Sequence, residues 1–319
     1  MPKVSIIIPV FNGEKTIAET IESVLCQTLQ EFEVVAIDDG SQDRTVAILN
    51  QYSDPRIEVF SFSNAGLAAS RNRGIDRATG EYLTFLDADD LWTPDKVEAQ
   101  YQALQNHPEA AVAYSWTDFI DEHGKALHPG SHVSVSGDVY AALLVHNFIE
   151  SGSNIMVRRA AFQTVGTYDE TLKAAEDWDM SLRLAARYSF VAVPAPQVLY
   201  RQPTRSMSAN ITRQEKACLQ VLEKAFATVP NIHRNLKSKS LANLYQYLTF
   251  KAMTGNPQDW QSAIALRCFA RAIVAEPEIL WKRSRLTAIM TAKIFMGLLL
   301  PAQIIQFCMR SLDREKEIS

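Results

Sequence analysis

This sequence lacks a cysteine cluster, an excess of positive charge and a clean membrane-length apolar run, and each lack removes a class of function. Its four cysteines, Cys26, Cys218, Cys268 and Cys308, are scattered, with neither metal-ligand spacing nor the density of a disulfide framework. Lys plus Arg number 32 against 36 Asp plus Glu, a net charge of −4. No basic field is offered to a polyanion, so nucleic acid is not an expected partner. The N-terminal apolar stretch over residues 4–11 is short and meets Asn12-Gly13-Glu14 at once. It does not read as a signal peptide, and a cytoplasmic location is the expectation. The least polar long stretch, residues 286–309, is interrupted by Lys293, Gly297, Pro301, Gln303 and Gln306. A spanning helix needs about 20 apolar residues. With Lys282, Arg283 and Arg285 before it and Arg310, Arg314 and Lys316 after it, an interfacial helix on a membrane surface fits better than a span, and a core helix fits equally.

What is present is an ordinary globular composition, 47% apolar and 21% charged over 319 residues. That length leads one to expect a large domain with an appendage. Residues 4–10 (VSIIIPV) form a continuous apolar run, as in a strand covered on both faces. Asn12 is placed to cap the next helix, with Glu14 in its first turn and Ile17, Ile21, Val24 and Leu25 at helical spacing. Strands are expected over 32–37, 57–60, 82–86, 111–116, 155–157, 190–193 and 198–200. Helices are expected over 43–50, 64–78, 93–106, 138–146 and 158–165, and after the acidic run at 176–179. Thr93-Pro94-Asp95 reads as a capped helix start. Residues 117–137, rich in Asp, His, Gly and Ser, read as a loop. The alternation of strand and helix predicts an α/β fold with a mostly parallel, Rossmann-like sheet and helices on both faces over residues 1–209. Residues 210–319 pattern only as helix, including a hairpin over 241–280 broken at Gly255-Asn256-Pro257.

The chemistry concentrates where predicted strands end. The apolar run at 82–86 leads straight into Asp87-Ala88-Asp89-Asp90. Carboxylates in such a place are costly unless something offsets the charge, and hard divalent cations with phosphate ligands do so. Ligands of open α/β sheets sit beyond the carboxyl ends of strands. Asp87 and Asp89 are therefore candidate metal–diphosphate residues. The same predicted edge carries Pro9, Phe11, Asn12 and Glu14, and the Asp38-Asp39-Gly40-Ser41 run. A nucleobase or ribose needs an acceptor for its N–H or O–H donors, which Asp38 or Asp39 supplies. Arg71 is a candidate diphosphate donor, with a solvated helix face as the alternative.

The segments VSIIIPVFN, DDGS, NAGLAASRNRGI and FLDADD, in this order and spacing, resemble the family 2 glycosyltransferases of the GT-A fold over roughly residues 3–205. The resemblance implies an inverting transferase that uses a nucleotide-diphosphate sugar, usually UDP-linked, with Mg²⁺ or Mn²⁺. It implies that Asp39, with or without Asp38, contacts the base, that Asp89 binds the metal, and that Asp87 faces the ribose or the metal's water shell. Pro9, Phe11, Asn12, Glu14, Arg71 and Ala88 complete the expected nucleotide-sugar contacts. A downstream Glu-Asp motif is matched by Glu176-Asp177-Trp178-Asp179, which makes Asp177 the implied base with Glu176 beside it. Like charges at 176, 177 and 179 would raise one carboxyl's pKa, and a helix-start acid cluster is the plainer reading. One departure stands out: many relatives carry a histidine shortly after a Tyr-Arg pair, and Pro203 stands there in Tyr200-Arg201-Gln202-Pro203-Thr204-Arg205-Ser206-Met207-Ser208. Proline neither ligates nor donates, so either Arg205 substitutes or metal dependence is altered. Residues 205–208 are a candidate flap over the donor.

The expected partners are a nucleotide-sugar donor and a saccharide or lipid-linked acceptor, in polysaccharide or glycolipid synthesis, with peripheral contact to the inner face of a membrane and a dimer left open. Two rival readings stand beside this one. Asp87-Ala88-Asp89-Asp90-Leu91 partly matches the nucleophile motif of haloacid-dehalogenase-like phosphatases, but two further α/β units precede it. The hairpin over 241–280 resembles a tetratricopeptide-like partner-binding unit, although one hairpin cannot bury its own face.

Overall fold

The computed structural model describes residues 2–202, 210–228 and 231–305. The chain divides into two compact units, Met1–Leu143 with Asn147–Pro203, and Leu144–His146 with Thr204–Ser319. The first unit is built on one sheet, whose strands are β1 Val4–Val10, β2 Phe32–Asp38, β3 Ile57–Ser61, β4 Tyr82–Phe85, β5 Leu91–Trp92, β6 Ala110–Ile120, β7 Ala126–Pro129, β8 Met156–Arg158 and β9 Ser189–Arg201. Their order is β3-β2-β1-β4-β8-β6-β9-β5, with β7 paired to β6. The β1–β4 block is all parallel and β6 is parallel to β9; β8 runs against β4 and β6. The helices are α1 Ile17–Leu25, α2 Thr45–Leu49, α3 Leu67–Arg77, α4 Lys96–Asn106, α5 Tyr140–Val145, α6 Arg159–Val165 and α7 Glu176–Ala185.

Every residue of β1 is buried, as its unbroken apolar run demands for a strand covered on both faces. Ile6 and Ile8 join Ile17, Ile21 and Val24 of α1 and Val97 and Leu104 of α4 in one core cluster. Parallel register brings three strand ends to one edge: Val10 lies beside Asp38, and Ile7 beside Phe85. The Asp38–Ser41 and Asp87–Asp90 runs thus emerge together.

Four expectations are corrected. Asn12 does not cap α1: the N-cap is Thr16 and the acid of the first turn is Glu19 rather than Glu14. Asn12 instead sits in left-handed backbone (φ 52°) and ties the β1 end to the next loop, its amide donating to Ser41 Oγ and its Oδ1 accepting from the Gln42 amide. Thr93 does not cap α4 either; its hydroxyl donates to Asp95 Oδ1, and Asp95 is the N-cap. Residues 117–137 are not all loop, because β6 runs on to Ile120 and turns back as β7. The loop composition masked the β-prone Trp116-Thr117-Asp118-Phe119-Ile120, which pairs with β9. The two strands expected over 190–200 are one, and Pro196 is accommodated at register irregularities in the β6–β9 ladder.

The second unit is helical: α8 Ile211–Thr228, α9 Lys237–Ala252, α10 Ser262–Ala275, α11 Ile279–Lys282 and α12 Ser284–Leu299. Leu222, Leu248, Cys268, Phe269 and Ile294 are buried within it. Glu215 is buried and paired with Arg267 and Arg271. The expected hairpin is α9 and α10, with a short 3-10 turn at Pro257–Asp259 between them. No disulfide joins Cys26, Cys218 and Cys268.

Candidate active site

The Asp87–Asp90 turn follows β4 and is held from several sides. All four of its carbonyls are engaged. Asp87 O accepts from the Asp90 amide at 3.0 Å, and Asp89 O from Arg201 Nε at 2.7 Å. Thr16 Oγ donates to Ala88 O at 2.8 Å, and Thr20 Oγ lies 3.0 Å from both Ala88 O and Asp90 O. Ser153 Oγ accepts from the Asp87 amide at 3.0 Å and donates to Asp90 Oδ2 at 2.5 Å. The fully buried Asp90 also accepts from Ser151 Oγ and from the Arg201 amide. Arg201 then reaches Glu19 and the Glu122 carbonyl, so one guanidinium joins α1, the turn and the β6–β7 connection.

Asp89 is the exception in this network. It has no ion pair among the described residues, and its side chain is half-buried. Burial, then the neighbouring Asp87, pushes its carboxyl up to about 6. No group of three or more His, Cys, Asp or Glu among the described residues could hold a metal by itself. An unspent carboxylate beside a second one nonetheless fits Mg²⁺ or Mn²⁺, which keep one or two protein carboxylates and take their other ligands from phosphates and water.

Arg71 is not on a solvated face. It is 1% exposed, with its terminal nitrogens 2.7 Å from Asp87 Oδ1 and 2.7 Å from Glu176 Oε1, and with Tyr168's ring centroid 5.3 Å from Cζ. Each terminal nitrogen thus donates one of its hydrogens to a carboxylate. Arg71 Nε and Tyr168 Oη are buried without a protein partner. A side chain on Gly152 would meet the guanidinium at 2.3 Å, so the 149–154 loop can approach only as glycine there.

The head of α7 sorts the three acids of the Glu176–Asp179 run. Ala175, its N-cap, has left-handed backbone. Glu176 is tied to Arg71, and Asp179 is paired with Arg183 at 2.8 Å. Asp177 has no ion pair among the described residues and accepts from the Trp178 amide. Burial, then the Glu176 charge, pushes Asp177 up to about 7, against the opposing pull of Arg71.

At the end of β2, Asp38 and Asp39 are both buried. Asp38 Oδ1 accepts from the Ser41 amide. Asp39 is engaged within the fold. Its oxygens already accept from the Ala65 and Gly66 amides and from Arg73, and they anchor the start of α3. A base contact would share Oδ2, which has one donor. Pro9 is buried inside β1, Phe11 is 51% exposed just beyond it, and Glu14 binds Arg44. Ala88 is placed by its carbonyl.

Asp90, Ser151, Ser153, Tyr168 and Arg201 join the site without being marked by the sequence motifs. The only available signals were the third acid of the Asp87–Asp90 run and the Tyr200-Arg201 pair; nothing local marks a serine that closes a turn sixty residues away. Pro203 and the candidate flap at 205–208 lie outside the described residues.

Comparison with known proteins agrees with this architecture. The chain resembles S. aureus TarS 1–349 in complex with UDP-GlcNAc, with TM-score 0.64 at 19% identity over 92% of this chain and 89% of that one. That likeness shows the fold, the GT-A class expected from the motifs. An uncharacterized glycosyltransferase of Rickettsia typhi is 34% identical over 184 residues, 56% of this chain and 57% of the relative. Another, of Rickettsia bellii, is 29% identical over 271 residues, 83% of this chain and 39% of the relative. The chain thus spans about half the length of these relatives. The comparisons support neither the phosphatase nor the scaffold reading. The profile of the glycosyltransferase-like family 2 matches residues 5–252 of the 319, and the chain belongs to that family.

Proposed function

We propose that this chain is an inverting glycosyltransferase that moves a sugar from a UDP-sugar to an acceptor hydroxyl, in glycan or glycolipid synthesis. The observation that carries the reading is the sorting of acids at the head of α7. Glu176 and Asp179 are spent on arginines, while Asp177 is unpaired and tuned to about 7. A base poised near the working pH is what a single displacement needs. Asp177 takes the acceptor's hydroxyl proton as the oxygen bonds to the anomeric carbon. The bond from that carbon to the diphosphate breaks on the opposite face, inverting the centre. Asp89, with Asp87 behind it, would hold Mg²⁺ or Mn²⁺. That cation supplies counter-charge to the diphosphate. Arg71 is a positioning residue that locks β4, α3 and α7 together.

The UDP preference rests on the likeness to TarS, whose structure was solved with UDP-GlcNAc. Calorimetry with UDP, with and without Mn²⁺, tests the site. Asp89→Ala is expected to abolish the Mn²⁺-dependent part of UDP binding. Equal affinity in variant and parent would remove the metal assignment. Thermal shifts against a panel of nucleotide sugars then identify the donor.

A second reading concerns place. No helix among the described residues is long and apolar enough to cross a membrane. Yet Trp281 on α11 is 62% exposed, Phe295 and Leu299 on α12 are 51% and 75% exposed, and Lys282, Arg283 and Arg285 lie between Trp281 and Phe295 along the chain. An apolar helix face flanked by cations suits an anionic membrane surface, from the cytoplasmic side, where a lipid-linked acceptor would be presented. The C-terminal flank at Arg310, Arg314 and Lys316 lies outside the described residues.

A further inference from the structure

Beyond the Asp87–Asp90 turn, β6 leads outward to a second cluster that the donor chemistry does not use. The indole of Trp116 and the imidazole of His132 are stacked, with centroids 4.5 Å apart and planes 10° from parallel. His132 Nε2 donates to Asp118 Oδ1 at 2.6 Å, and Trp116 Nε1 to Ser134 Oγ at 3.1 Å. Glu150 closes the cluster, its Oε1 accepting from the Ser131 amide. His132 (φ 46°) and Glu150 (φ 68°) both have left-handed backbone, uncommon for such residues and concentrated where binding geometry is imposed.

The cluster adjoins the reacting centre through the backbone. Ser151, next to Glu150, donates to Asp90. Thr117 accepts from the Gly130 amide through its carbonyl and donates to Ile149 O through its hydroxyl. The segment that supports the metal turn therefore also carries Glu150. The groups are open to solvent, with Asp118 and His132 side chains 32% and 30% exposed.

Chemistry narrows the ligand. A π surface takes the C–H face of a sugar ring, and carboxylate oxygens, which can only accept, suit its hydroxyl donors. Two carboxylates repel a phosphate or a uronate. We propose that Trp116, His132, Asp118 and Glu150 form an acceptor subsite for an uncharged sugar ring, so that the acceptor ends in a neutral sugar rather than a phosphate-bearing unit. This inference rests on the transferase reading.

Saturation-transfer NMR on the full chain with UDP and Mn²⁺ tests it, with the methyl glycosides of glucose, galactose, mannose, rhamnose and N-acetylglucosamine as probes. At least one glycoside is expected to receive saturation from the parent and from Asp89→Ala. The signal is expected to fall about fivefold in Trp116→Ala, the scale of one lost aromatic contact. Trp116→Phe should restore most of it. Asp118→Asn, on the exposed rim, should weaken it without loss of fold, and UDP affinity should be unchanged in all three. Saturation equal in parent, Trp116→Ala and Asp118→Asn, or none with any glycoside, would overturn the subsite. Glycoside binding by a parent that does not bind UDP would instead strike the donor reading and leave a sugar-binding cluster standing.

Discussion

At the residue scale, Asp177 and Arg71 carry opposite burdens. Asp177 is held at about 7 by burial and by Glu176, well above an ordinary aspartate. If it is the base, kcat/KM rises with pH up to about 7 and then levels. Asp177→Asn is expected to leave donor affinity unchanged, cut turnover by about 10² or more and remove that pH dependence. Activity within a few-fold of the parent would defeat the assignment. The same shift acts on stability. Between its ordinary value and about 7 the native state binds more protons than the unfolded chain, so this group's contribution falls as pH rises through that window. Asp177→Asn should therefore melt higher than the parent at pH 8, with the gap closing under acid conditions. Arg71 is the reverse case. Removing it leaves Asp87 and Glu176 without their counter-charge, so Arg71→Met is expected to cost about 3–5 kcal/mol in urea unfolding. A cost below about 1 kcal/mol would show that the acids are satisfied by other means. Arg71 was legible in sequence as a candidate diphosphate donor or a solvated helix cation, not as a buried one. Its burial depends on Gly152 and Glu176, residues far along the chain that no local pattern ties to it.

At the element scale, the Asp87–Asp90 turn is an irregular stretch given rigidity from outside. α1 contributes Thr16, Thr20 and Glu19, the 149–154 loop contributes Ser151 and Ser153, and the end of β9 contributes Arg201. A carboxylate that must meet a metal at fixed distance gains from such support. Arg201→Lys keeps the charge and loses the fork that reaches Asp89 O, Glu122 O and Glu19 at once. Calorimetry should show weaker Mn²⁺-dependent UDP binding with metal-free UDP binding unchanged. Loss of both to the same degree would mean general loosening rather than positioning of Asp89. The strands β1, β2 and β4 were readable as apolar runs, since a strand covered on both faces must be apolar throughout. The length of β6 was not, because its outer half is polar and held by pairing with β9.

For the whole molecule, the expected test of place is vesicle co-sedimentation. The full chain should pellet with anionic vesicles at low salt. High salt should weaken but not abolish this, because each flanking cation is worth about 1 kcal/mol and is screened, whereas apolar insertion persists. A double replacement, Trp281→Ser with Phe295→Ser, should release it. A parent that stays in the supernatant would defeat the membrane reading. The sequence by itself determined the class of fold and where the chemistry would gather. Alternating buried strands and helices allow little else, and Asp87–Asp90 and Glu176–Asp179 are contiguous runs whose charge has to be used. Tertiary structure alone decided which acid is unspent. Glu176, Asp177 and Asp179 are near-equivalent on a linear chain. Only folding brings Arg71 to the first and sets Arg183 against the last, and the raised pKa of Asp177 is the electrostatic consequence of being buried beside a charge without a cation of its own.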